Sequence, residues 1–378
     1  MMLPEPTRDR EMCMMSWGFP RLRQWLFRLF LGVGASLCTT QAFAQSSEKM
    51  RFWGEPPGGP SAIFGTAWTI YADGPIDEQA DARLRQFIES NNIPSAGSTL
   101  ALNSPGGSLT GGMKLGRAIR ELGLWTYVGR DPLALDRMML PGKCYSSCSL
   151  AYIGGEFRFM VEGSIFGVHR FYFTSPSDRD ADTAQVLSSM VLEYIRDMEV
   201  DPSLFSKMAQ TDASDINVIS AADLRRFNIV NDGIKKTVWS IESLDAGLYL
   251  KGERQTSRGV NKFMLLCIPG EGMGLYVIFD PEGRGDDVVT MPARSLFLDG
   301  KLVPLSKSPL PEVKLVNGWI NLRYHLDYAL LQAISGAKTV GIALQFAYDA
   351  PTFAGFDGME FGEGAKKLPG LLTLCQHR

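Results

Sequence analysis

From residue 62 to about 240, short apolar runs alternate with stretches of helical periodicity, and this alternation constrains the fold more than any other feature. GTAWTIYADG (65–74) reads as a strand ending in a turn, and residues 76–90 read as a helix with Ala80, Leu84 and Ile88 on one face. STLALN is a strand, residues 108–122 are a helix facing inward through Leu115, Ala118, Ile119 and Leu122, and LWTYVG is a strand again. A helix from about Ser146, the strand-like FRFMV and SIFGVH, a helix over 180–197 and the short helical SAADLRRF follow. Strand–helix alternation predicts an α/β layer with a parallel sheet and right-handed crossovers. Past residue 240 the texture changes. KFMLLCI, GLYVIF and TVGIALQF are strand-like, with one clear helix over 326–334, so 241–378 reads as a smaller, mostly β domain.

The α/β domain is placed at 63–240, behind a Gly/Pro-rich flexible linker over 45–62. Residues 1–44 read as a secretory signal: Arg21, Arg23 and Arg28 precede the apolar LFLGVGASL, and AFA offers cleavage after Ala44. The expected location is periplasmic or secreted. The apolar run is too short to span a bilayer, and no later run approaches twenty residues, so no stable membrane span is expected after cleavage. Residues 1–44 carry five Arg and three acidic residues, so losing them takes the net charge from −3 to −5. An acidic chain without a basic block gives nucleic-acid binding no electrostatic support.

Cleavage leaves Cys144, Cys148, Cys267 and Cys375. An oxidising compartment allows two disulfides in three pairings. Cys144 and Cys148 are four apart, a spacing within disulfide reach on a helix, and a Cys267–Cys375 bridge would tie down the C-terminus. The C-x3-C spacing has no neighbouring His pair, so no metal site is expected. No cofactor motif is found.

Four pieces carry chemistry. In LNSPGGSLTGGM (102–113) a strand ends, Pro105 and two glycines turn the chain, and a helix begins. Such a turn presents backbone N–H groups as an oxyanion hole does, although it also serves as a plain capped turn. GKCYSSCSLAYIGG (142–155) starts a helix with serines, which there act as caps or as exposed nucleophiles. His169 closes a strand and is the only candidate base in the first domain, since His325 and His377 lie beyond it. Asp212 and Asp215 precede the short helix at 220, where a carboxylate caps a turn or orients a histidine.

In order and spacing, GPIDEQADARLRQFI, LNSPGGSLTGGM, the serine helix closing in GG, GVHRF and ISAADLRRFNIVND resemble the serine peptidases of the ClpP/crotonase superfamily over about residues 66–232. The resemblance implies a ββα-spiral domain and a Ser–His–Asp hydrolase acting on a protein or peptide substrate, with no cofactor. Counting back nine residues from Gly155 makes Ser146 the nucleophile. His169 becomes the general base and Asp215 its orienter, with Asp212 a rival because one residue is inserted before Ser220. Gly107 and Ser147 become the oxyanion donors. Some exported relatives use a Ser–Lys dyad, for which Lys143 and Lys114 are the candidates. Relatives form trimer-based rings, which implies a homo-oligomer. The signal, the cysteines and the second domain depart from the cytosolic peptidases, and a non-catalytic binding or scaffold protein of the cell envelope is the alternative.

Overall fold

The computed structural model describes residues 49–56, 67–94, 97–132, 138–173, 175, 177–244, 247–268, 272–305 and 311–376. The readings of residues 1–44 as a signal and of His377 fall outside them. The first half runs β1 (Arg51–Glu55), β2 (Thr69–Asp73), α1 (Ala80–Ser90), β3 (Thr99–Asn103), α2 (Leu109–Glu121) and β4 (Trp125–Val128). Then come β5 (Lys143–Tyr145), α3 (Ser147–Ile153), β6 (Arg158–Met160), β7 (Ile165–Val168), α4 (Asp180–Asp197), α5 (Ser203–Gln210), β8 (Asn217–Val218) and α6 (Ala221–Arg226).

β2, β3, β4 and β6 form a parallel sheet in that order, and β1 adds to its edge antiparallel to β2. The centres of β2 and β3 are buried on successive residues (Ile70, Tyr71, Ala72; Leu100, Ala101, Leu102), the signature of strands covered on both faces. Within the stretch read as a flexible linker (45–62), the described residues 49–56 form part of the fold instead. Met50 is buried, its N–H donates to the Pro75 carbonyl at 2.9 Å, and Arg51–Glu55 pair with β2. A second, three-stranded sheet has the order β5-β7-β8, with β5 parallel and β8 antiparallel to β7.

Helices α2 and α3 cross at backbone contact, and glycine is required where they meet. A Cβ on Gly154 would lie 2.2 Å from the Gly116 carbonyl oxygen, and one on Gly112 would lie 2.4 Å from that of Ser147. The end of α3 is braced by side chains that reach its last carbonyls, where helical partners run out. Tyr194 donates to Leu150 O at 2.7 Å and Thr126 to Tyr152 O at 2.9 Å, and Arg120 reaches the carbonyls of Ile153, Gly154 and Gly155. Arg158, fully buried, donates to Gly155 O at 2.8 Å, Ile229 O at 2.9 Å and Asn228 O at 2.7 Å. Burial pulls its pKa down to about 10, so it remains a cation, satisfied by carbonyl dipoles.

The second half is β9 (Val238–Leu244), β10 (Gly247–Thr256), β11 (Gly259–Ile268), β12 (Gly272–Phe279), α7 (Gly285–Thr290), β13 (Ala293–Leu298) and β14 (Lys301–Pro304). It continues with β15 (Glu312–Val316), β16 (Trp319–Leu326), α8 (Tyr328–Gly336), β17 (Thr339–Gln345), β18 (Ala354–Glu360) and α9 (Gly362–Gln376). Its strands form two antiparallel sheets, β15-β16-β12-β11-β10-β9 and β14-β13-β17-β18. Residues 47–378 make one compact unit with two apolar cores, one drawn from residues 50–230 and the other from 239–371. Cys267 is buried in the second core, and the side chain of Cys375, its expected partner, lies outside the described residues. Among the described residues no helix is long and apolar enough to cross a membrane, and no cluster of metal-binding side chains occurs.

Candidate active site

Ser146 stands alone between β5 and α3, in a conformation that side chains rarely adopt: φ is +56° and ψ is −126°. Such backbone persists only where the surroundings over-determine it. Here they do. The Ser146 N–H donates to Gly167 O at 3.0 Å, and the Ser146 carbonyl accepts both the N–H of Ser149 (2.9 Å) and its hydroxyl (2.5 Å). Ser149 pins the turn from a fully buried position. The Ser146 hydroxyl caps nothing and is half-buried, so it is free to react.

Cys144 and Cys148 are bridged, with Cα atoms 5.2 Å apart. The expected helical spacing is not the reason. Cys144 lies in β5 and Cys148 in α3, so the bridge spans the turn that carries Ser146.

The Pro105–Gly106–Gly107 loop packs directly on this turn. Ser104 donates its N–H to Lys143 O at 2.7 Å and accepts from Tyr145 N at 3.1 Å, which ties the loop to β5. Gly106 has φ +98°, and a Cβ there would lie 2.6 Å from the Cβ of Ser146 and 2.7 Å from Tyr145 O. Only glycine permits this approach. Gly107 has φ +146°; its N–H and that of Ser147 donate to no described residue. Two backbone N–H groups without described partners therefore lie beside Ser146, one in the loop packed against it and one in the next residue. The hydroxyl of Ser147 is buried without a partner.

Register brings the other two expected members to the same end of the three-stranded sheet. Tyr145 pairs with Gly167, Gly167 with Val218, and Val168 with Asn217. Ser146 and His169 therefore leave the ends of β5 and β7, and Asp215 precedes the start of β8. The side chains are not joined. His169 Nδ1 lies 2.8 Å from the carbonyl oxygen of Arg170, and among the described residues no hydrogen bond links His169 to Ser146 or Asp215. A carbonyl only accepts, so Nδ1 carries the proton and Nε2 is left as the basic nitrogen. The place expected for Asp215 is thus filled by a backbone carbonyl. Asp215 itself is exposed, its N–H donating to Asp212 O at 3.1 Å.

The rival Asp212 is taken up elsewhere. It accepts from the N–H (3.1 Å) and hydroxyl (2.9 Å) of Ser214 and pairs with Arg170. The Ser214 hydrogen bonds, then the Arg170 charge, hold its carboxyl below the usual range. Lys114 is equally engaged. It pairs with Glu78 at 2.8 Å on the surface of α2, and the Lys114, Ser108 and Thr110 hydrogen bonds hold Glu78 down at about 2. Lys143 projects from β5 into solvent.

No family model matches the chain, and no curated protein does. Among solved structures, a mutant ClpP1 from Listeria monocytogenes is similar to 43% of this chain and 88% of its own, at 17% identity and a TM-score of 0.34. A mutant of the 1510-N membrane-bound stomatin-specific protease is similar over 43% of this chain and 75% of its own, at 13% identity and a TM-score of 0.32.

Proposed function

We propose that the chain is a serine hydrolase, most simply a peptidase with a ClpP-like first domain, and that Ser146 is its nucleophile. The observation that carries the reading is the turn at Ser146. It combines a strained backbone, an uncommitted hydroxyl and free N–H donors on both sides. In the reaction the Ser146 Oγ attacks a substrate carbonyl carbon while His169 Nε2 takes its proton. The N–H groups of Gly107 and Ser147 stabilise the oxyanion. Collapse of the tetrahedral intermediate expels the leaving group with the proton from His169, and water repeats the sequence to free the acyl group. The signal-like N-terminus supports a periplasmic or secreted location, the family resemblance supports a homo-oligomer, and the substrate is a protein or peptide.

A fluorophosphonate probe tests this. The wild type labels at Ser146 and Ser146→Ala does not label. His169→Ala labels about 10²–10⁴-fold more slowly, the usual worth of a general base. Asp215→Asn separates two orienters: a loss near that of His169→Ala assigns the role to Asp215, whereas a small loss assigns it to the Arg170 carbonyl. The binding or scaffold reading rests on the missing Ser146–His169 hydrogen bond. A folded wild type that takes no label, alone and at concentrations where it self-associates, establishes that reading and removes ours.

A further inference from the structure

A groove of about 1270 Å³ runs between the first core and the edge of the six-stranded sheet, away from Ser146. It is lined by the end of α4, the segment after α6, β9, β10 and β18. Its wall contains Arg254, which is only 6% exposed. The guanidinium makes one hydrogen bond, from Nη2 to the Asp357 carbonyl at 2.9 Å, and its Nε has no partner. No ion pair is formed with it among the described residues; the Asp357 and Glu360 carboxylates act on it only at longer range, and the Phe356 ring covers it with the Cζ 5.7 Å from the ring centroid. The hydroxyl of Thr237, also on the groove wall, is buried and equally without a partner. A cation taken out of water costs several kcal/mol unless hydrogen bonds or an opposite charge replace the hydration. Arg158 meets that demand with the backbone carbonyls around it; Arg254 does not.

We propose that this groove binds a carboxylate, with the Arg254 guanidinium as its charge partner and the Thr237 hydroxyl as a hydrogen-bond donor. A planar fork matches a carboxylate. The rest of the wall favours a single negative charge. Apart from Arg254, the wall's charged side chains balance, six basic (Arg196, Arg225, Arg226, Lys235, Lys236, Lys251) against six acidic (Glu199, Asp201, Asp232, Glu242, Glu253, Glu360), so Arg254 supplies the one net positive charge. The carboxylate source is either the free C-terminus of a peptide or a small acid. Independent of the chemistry at Ser146, the site would stand even if that serine proved inert.

Calorimetric titration of the full chain with trialanine, trialanine amide, acetate and inorganic phosphate tests the proposal. The expected result is saturable binding of trialanine and none of its amide, which assigns the site to peptide termini; binding of acetate with equal affinity assigns it to small acids. Arg254→Met is expected to weaken that binding at least tenfold, and Thr237→Val several-fold, with unfolding midpoints confirming both variants folded. No binding by either carboxylate, tighter binding of phosphate, or carboxylate binding unchanged in both folded variants overturns the site. If Arg254→Met does not fold, Thr237→Val and the acid–amide comparison decide the matter.

Discussion

The turn at Ser146 and the loop after Val168 leave the same end of one three-stranded sheet, but they are held unequally. At Ser146 both backbone groups are hydrogen-bonded, a disulfide closes across the residue, and glycine-only contacts fit the 105–107 loop onto it. The far end of α3 is tied by two guanidiniums, a tyrosine and a threonine. At His169 the ring rests on the next residue's carbonyl. The following backbone is fixed by Arg170 N to Thr211 O (3.1 Å) and by an Arg170–Asp212 ion pair in which each side chain is about half exposed. The contrast teaches that Ser146 and the N–H groups beside it are preorganised by packing, whereas His169 is positioned by short-range contacts that small changes can rearrange.

Substitutions can break or sharpen this contrast. The largest effect is expected from Arg158→Met, which leaves the carbonyls of Asn228 and Ile229 without their side-chain donor and that of Gly155 with Arg120 alone. We expect a loss of about 3–5 kcal/mol in urea unfolding. A loss below about 1 kcal/mol would show that α3 does not depend on that brace. Next is Gly106→Ala, which sets a methyl against Ser146 at positive φ. It is expected to cost about 2–4 kcal/mol and to abolish probe labelling at Ser146. Labelling at the wild-type rate would show that the loop yields without disturbing Ser146.

Reducing the Cys144–Cys148 bridge comes third. It closes a loop of only five residues, for which chain entropy gives about 2 kcal/mol. Reduction should also slow labelling, because the clamp on the turn is lost. Equal rates before and after reduction, with mass spectrometry confirming the change, would remove the clamp from the account. The smallest effect on stability is expected on the other side of the comparison. Arg170→Ala removes an exposed ion pair and should cost less than about 1 kcal/mol. A larger loss would mean the His169 loop is more firmly built than its contacts indicate.

Much of the first half was legible in the sequence because its periodicities are clean. The helix predicted at 180–197 is α4, and Ala80, Leu84 and Ile88 are the buried face of α1. Other elements are carried by tertiary contacts that leave no local signal. β1 sits beside a Gly/Pro tract, and its place is set by pairing with β2. α9 contains Pro369 and several glycines, which argue against a helix, yet Leu368 and Leu371 are buried in the second core and override them. At the site, the family resemblance pointed to Ser146 and to the 105–107 loop, each through its own short sequence stretch, and the structure packs the two together. The partner of His169 depends on a ring torsion and on a carbonyl one residue away, which no spacing encodes. Arg158, within the strand-like FRFMV, gave no sign that it would be buried, since its partners are backbone groups.

The glycine contacts between α2 and α3 have a mechanical consequence. One donor of the proposed oxyanion hole precedes α2 and the other opens α3, and these helices meet backbone to backbone at Gly112 and Gly154, with the Tyr194 hydroxyl lodged beside Gly116 and bonded to Leu150 O of α3. Backbone contact at these points leaves little slack for relative motion. If the sheet beneath them flexes, both helices move as a single lever, and the gap between the two N–H groups is carried along unchanged.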